Sequence, residues 1–521
     1  MPTEKEVRQR RQKYAEGRIN GGMVTMIDAA DLPDNTFQVA RNARIRFDKT
    51  SRRFGSVLLD PTKPNNNPVL KLFYAKLRNG NSHTLRFTRN SLHTRAGGGW
   101  TPIVGTLTGT DTDRITAAVV LDKVIFTNNG VNKIQVVDFA GNTFGDLGNA
   151  GLYRYVTGFS NRAIAAAKRN NDEVEVAWSA DGVITEWDHS VNPSAGSAPI
   201  IDSPSDLGDF ITGIMGFTNI LLLLRENSVW TATKQPSETD PFFFRATYPG
   251  VGCDCPYTFM SIQNGAVWLD IKTGTVWAYT PGSAPEPIGR PIEATLISGV
   301  NDARQCFASY SPNTNEYQVF LPQVGSDVTI GWIYNFRTKA WAYDEFRNIS
   351  CADDVQLATS GTTIDELGDV PIDNLLLTID ELSPTRITIP TRTYGKTDGD
   401  ILVETPTATS DAGVVYNFEL RSKVYVVPEE KITVCEVRIE YIQRVGGSSF
   451  LLQYSRNGGE TDSSWKTVKT VSNIELGKSK LIRHVRAVTC RKFAWRIMAE
   501  NGAFDFLSYE VDTIASGEAS K

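Results

Sequence analysis

The chain has 521 residues, a formal net charge of −5, 40% hydrophobic and 22% charged residues, and 10 Trp, 17 Tyr and 24 Phe. That length is more than one ordinary core serves and sets an expectation of two or three domains, while the apolar and aromatic content excludes a disordered chain. The longest purely apolar run, ILLLL at 220–224, falls far short of the ~20 residues a membrane-spanning helix needs, and six scattered cysteines exclude a disulfide framework.

The N-terminus, MPTEKEVRQRRQKYAEGRIN, has basic residues with no apolar stretch behind them, so it is not a secretory signal and the chain is expected to start in a cytosol. Residues 1–60 read as an N-terminal arm and entry strand, helix-compatible to Gly17. VARNARIRF then alternates as a strand does, carrying Arg41, Arg44 and Arg46 close to Arg52 and Arg53 of TSRRFG. Residues 1–110 hold 19 Lys+Arg against 8 Asp+Glu, and the remainder 35 against 51. This gradient fits an anionic partner for the N-terminal part, and equally a solvated face or a charged sheet edge.

From 61 to 405 the sequence repeats. WSADGVITEW (178–187), WLDIKTGTVW (268–277) and WIYNFRTKAW (332–341) each place Trp at both ends of a ten-residue window; LLLLRENSVW (221–230) and IFTNNGVNKI (125–134) keep the spacing with Leu or Ile. A separation of nine lets the end residues face each other across an antiparallel hairpin, making Trp178, Trp187, Trp230, Trp268, Trp277, Trp332 and Trp341 cross-strand staples. An apolar strand precedes each hairpin, as in RITAAVV or DFITGIMGF, and the windows recur every 43 to 64 residues, the period of propeller blades. With 68–103 as an earlier unit and 351–405 as a possible closing one, the expectation is an all-β propeller of about six to seven blades.

Cys253 and Cys255 in GCDC resemble half of a metal or redox site, but no second pair follows at zinc spacing and the chain holds four His, so packing in an inter-blade connection is favoured. No metal and no cofactor is expected. Residues 351–411 are acidic, with TIDEL at 363–367 and again at 378–382; Asp365, Asp373 and Asp380 match no calcium loop, and an acidic connector is the reading. From 406 to 521 about seven alternating segments without the blade rhythm predict a C-terminal β-sandwich. SNIELGKS (472–479) has Ser472 where a phosphate-binding loop needs Gly, and His83, His93, His189 and His484 lack a triad context. SADGVITEW loosely resembles the Asp-box turn of sialidases, which leaves a glycosidase as a minor alternative.

Three features together are similar to the tail nozzle and head-completion (head-to-tail connecting) β-propeller proteins of short-tailed bacteriophages. They are GGMVTMIDAADLPDNTFQVARNARI (21–45), GCDCPYTFMSIQNGAVWLDIKTGTVWAYTPG (252–282), and the TIDEL repeat followed by a terminal β-domain. The resemblance covers most of the chain. It implies a non-enzymatic structural virion protein, assembled in the host cytoplasm. Six copies would form a homohexameric ring around the channel for double-stranded DNA, between an adaptor or portal ring and neighbouring tail or fibre proteins. Arg41, Arg44, Arg46, Arg52 and Arg53 would then face the adaptor or the DNA. The alternative is a tail-tip propeller that binds a receptor glycan.

Overall fold

In the computed structural model, which describes residues 12–96, 99–170, 172–201, 207–356, 390–426, 432–472 and 476–515, the chain is all-β apart from single short helical turns. Six four-stranded antiparallel sheets form blades of a β-propeller. Five are simple meanders over 71–103, 115–146, 153–199, 211–249 and 260–287. The sixth combines Ile349–Val355, Thr391–Lys396 and Ile401–Thr405 with Gly55–Leu58, so a strand from near the N-terminus completes the last blade and closes the ring. Between the fifth and sixth blades the first four strands of a ten-stranded sheet, within 307–347, fill the gap as a seventh wedge. The TIDEL segments lie outside the described residues.

The sequence makes blades because short β-branched and aromatic runs alternate with tight turns. Ile115–Val120 returns as Lys123–Asn128 through Leu121 and Asp122, both at positive φ (46° and 60°), the conformation that a two-residue hairpin matching strand twist requires. Blades cannot bury their faces alone, and they meet through apolar layers; Phe87 of the first packs edge-on against Phe126 of the second at 5.1 Å.

The Trp windows follow the hairpins with differing registers. Trp268 and Trp277 lie directly opposite each other, as expected. Elsewhere turn length moves the partner. Trp230 faces Leu223 because its hairpin turns more tightly, while Trp332 faces Tyr343 and Trp341 faces Tyr334, each two residues from the expected partner. Trp178 pairs with Ile164 and Gly196, and Trp187 lies outside any strand, half-buried, its indole donating to the Ile184 carbonyl at 2.8 Å. Ile125 faces Val136 rather than Ile134.

Residues 12–58 do not stand apart as an arm. Gln12–Arg18, expected to be helix-compatible, is a strand on Phe504–Ala515; Ala43–Ile45 and Thr50–Arg52 join the same six-stranded sheet beside Ile432–Gln443 and Ser479–Cys490. Phe37–Arg41 runs parallel to Ala340–Arg347 on one side and antiparallel to Phe418–Ser422 on the other, so one sheet continues from the propeller wedge into the C-terminal sandwich. The sandwich core packs these two sheets face to face through Phe418 on Phe506 (5.4 Å) and Trp495 on Tyr509 (5.1 Å). Deleting residues 1–60 is therefore expected to abolish cooperative folding of both domains. A sharp thermal transition and a protease-resistant 461-residue product would contradict this.

Candidate functional site

Of Arg41, Arg44, Arg46, Arg52 and Arg53, four are drawn inward by the pairing just described. Arg44 is buried and contacts Asp344 at 2.8 Å, with Glu404 at 3.9 Å; burial opposes its charge, but these carboxylates outweigh the penalty and raise its pKa. Arg53, also buried, holds Asp411 through both terminal nitrogens, donates from Nε to Asn42 at 3.0 Å and lies 3.6 Å from the Tyr416 ring centroid. Arg52 donates to the carbonyls of Thr409, Gly502, Tyr416 and Glu500 and has no carboxylate partner among the described residues, and burial lowers its pKa. Arg41 is half-buried against Glu419 at 3.1 Å and Glu345 at 3.6 Å. Only Arg46 is left at a rim, half-buried beside a cavity of about 270 Å³ that Arg392 and Phe54 also line. Thus four of the five tie the N-terminal strands to the propeller and sandwich instead of facing outward.

The cavity that the propeller architecture itself creates lies at one end of its axis, with a volume of about 280 Å³. Strand starts and inter-blade connections bring Arg154, Glu173, Phe210, Tyr257, Asp302 and Arg304 to its wall, residues spread over 151 positions of sequence. Arg154 pairs with Glu173 at 2.6 Å and donates to Asn129 at 3.1 Å, while its Nε is a buried donor with no acceptor among the described residues. Asp302 accepts from the backbone N–H of Arg304 at 2.9 Å, fixing the rim where both side chains are exposed.

Nearby, the axis is blocked. Arg114 of the second blade reaches the carbonyls of Gln305, at 2.7 Å, and Ser350, at the entries to the wedge and the sixth blade, and its guanidinium sits 4.8 Å from the Phe307 ring centroid. Tyr257, from the connection into the fifth blade, meets Tyr155 of the third at 6.4 Å. Burial pushes the Tyr257 phenol up to about 12 and raises that of Tyr155, so both are neutral at pH 7. At this level side chains from different sides of the ring meet beside the mouth.

The GCDC segment lies close by and is scaffold. Cys253 and Cys255 are fully buried, and burial raises both thiol pKa values, which keeps them protonated and poor at binding metal. Among the described residues no three His, Cys, Asp or Glu side chains gather as a metal would need. Gly252 is required here because a Cβ would stand 2.1 Å from the Glu226 carbonyl oxygen; its own carbonyl accepts from the Trp268 indole at 2.8 Å. Of the histidines, His83 stacks on Phe139 at 3.6 Å, His189 bonds the Ala195 carbonyl, and burial followed by Arg86 lowers His93 to about 4.

Asp270, beside this connection, is buried, with Oδ2 accepting from Thr273 at 2.6 Å and Oδ1 without a partner among the described residues; burial first, and then Asp254, raises its pKa to about 6. An acid that binds its proton more tightly when folded costs stability as pH rises from about 4 to about 6, the reverse of a salt-bridged carboxylate. Asp270→Asn is expected to stabilise the protein above pH 6 by about 1–2 kcal/mol and to leave it unchanged near pH 4, read by denaturant unfolding at both pH values. Equal stability of the two chains at pH 7 would refute this.

Fold and cavity together define a β-propeller protein with a fused β-sandwich and an axial mouth. No family model matches the chain, and no curated protein matches its sequence. Among solved structures it is similar to a streptogramin B lyase (11% identity, TM-score 0.38, covering 67% of this chain and 97% of that one). It is likewise similar to virginiamycin B lyase from Staphylococcus aureus (10%, TM-score 0.36, 67% and 98%). A third is a quinoprotein alcohol dehydrogenase-like protein from Bacteroides thetaiotaomicron (11%, TM-score 0.33, 53% and 66%). At these values the similarity is one of propeller architecture and carries nothing about activity.

Proposed function

We propose that the chain is a structural protein of a short-tailed bacteriophage tail, a nozzle or head-to-tail connector, assembled in the host cytoplasm as a homohexameric ring around the DNA channel. The observation that supports this reading most is the weld between propeller and sandwich. A continuous ten-stranded sheet crosses the junction, and buried arginines lock it, giving a body suited to bearing load without hinging. Because Arg114 and Tyr257 obstruct the propeller's own axis, DNA would pass between copies arranged in a ring and not through any single propeller. Of the five arginines Arg41, Arg44, Arg46, Arg52 and Arg53, Arg46 is the one left to touch an adaptor, while the acidic remainder of the chain would resist sticking to DNA.

Electron microscopy of the purified protein, alone and mixed with its portal or adaptor ring, tests the proposal. A six-fold ring docking coaxially on that partner is the expected result. A monomer or trimer that ignores the ring would overturn it and favour a receptor-binding protein.

A further inference from the structure

We infer that the axial mouth of the propeller is a binding site for a neutral monosaccharide unit. This inference stands apart from the tail assignment, since it rests on the cavity alone.

At about 280 Å³ the mouth lies at the small end of ligand pockets, which fits one sugar ring better than a larger molecule. Most of its charges are engaged close to the wall. Arg154 is neutralised by Glu173 at 2.6 Å and Glu226 by Lys272 at 3.6 Å, while the exposed Arg304 shares the lining with Asp302 and Asp254. With three cations against four carboxylates, a net anion meets more repulsion than attraction, and a cation finds these carboxylates already engaged by side chains or backbone N–H groups. A polyol, in contrast, uses both kinds of group, since its hydroxyls donate to carboxylates and accept from guanidinium N–H.

The wall also supplies an apolar face. Phe210 is 38% exposed at the cavity, although a side chain of its size is ordinarily covered in a core, and Pro256 lies on the same lining. A ring that offers its C–H face to Phe210 and its hydroxyl edge to Arg154, Glu173 and Asp302 satisfies both halves of the site. Arg114 and the Tyr155–Tyr257 pair close the axis nearby, which limits the site to a terminal or single unit.

The test uses the full chain with free glucose, galactose, N-acetylglucosamine and rhamnose in turn, and inorganic phosphate as the anionic comparison. Saturation-transfer NMR titration is expected to show at least one sugar binding saturably in the millimolar range. Phe210→Ala and Arg304→Ala, both exposed positions, should each weaken it by roughly tenfold with an unchanged thermal midpoint, a loss of about 1.4 kcal/mol. In the unmodified chain, transfer from aromatic ring protons to one face of the sugar gives a second readout that needs no variant. Absence of binding by all four sugars, binding of phosphate in their place, or sugar binding indifferent to both substitutions and without aromatic transfer would each overturn the inference.

Discussion

Arg53→Ala is expected to destabilise the protein by about 3–5 kcal/mol, because it removes one side of a buried charge cluster and leaves Asp411 without its arginine. Arg53 is 2% exposed. It holds Asp411 through both terminal nitrogens and lies 3.8 Å from Asp344, which also carries Arg44. Burial already raises the pKa of Asp344, with Arg44 and Arg53 opposing the rise, so losing either arginine pushes that acid further toward its neutral form. The substitution also strips Tyr416 of the guanidinium 3.6 Å from its ring centroid. Denaturant unfolding measures the loss. The control is Arg347→Ala, whose pair with Asp327 at 2.9 Å lies in solvent at 63% and 44% exposure and is worth about 0–1 kcal/mol. If the two variants lose the same amount, the cluster does not lock the junction.

That cluster shows where sequence reading stopped. The density of Arg41, Arg44, Arg46, Arg52 and Arg53 is plain in the sequence, but their acidic partners stand near 344, 404, 411 and 419, some 300 or more residues away. Linear spacing carries no trace of such pairing, and a run of unpaired cations reads as surface. The blades were legible for the opposite reason. Each is a local meander, so period and turn chemistry report it directly, as at RITAAVV or CFASYS. Registers were less legible, since the turn at Leu121 and Asp122 has no Gly or Asn to announce it. The last blade was readable over 351–405 only in part, because its outer strand, Gly55–Leu58, comes from the far end of the chain. The axial mouth was not legible: its wall is assembled from short stretches of several blades, and Asp254, Pro256 and Tyr257, which lie in a quoted motif, read there as an inter-blade connection.

Trp268→Ala is expected to cost about 3–5 kcal/mol, while Trp277→Ala, directly across the same hairpin, costs less. The two residues were indistinguishable as ends of one sequence window, and their surroundings separate them. Trp268 is wholly buried, edge-on to Phe259 at 6.2 Å, and its indole donates to the Gly252 carbonyl at 2.8 Å. Its removal leaves a cavity between the fourth and fifth blades, where Leu222, Leu224 and Val229 lose their packing partner, and an orphaned carbonyl in the tight GCDC connection. That connection cannot collapse to fill the space, because Gly252 already sits against the Glu226 backbone. Trp277 keeps a solvent-facing edge, and its indole bonds the Thr273 hydroxyl at 3.2 Å in an exposed turn, so water replaces much of what it loses. Unfolding curves of the two variants decide the matter. Equal losses would mean that the cross-strand pair itself, and not the inter-blade layer beneath Trp268, holds this blade in the ring.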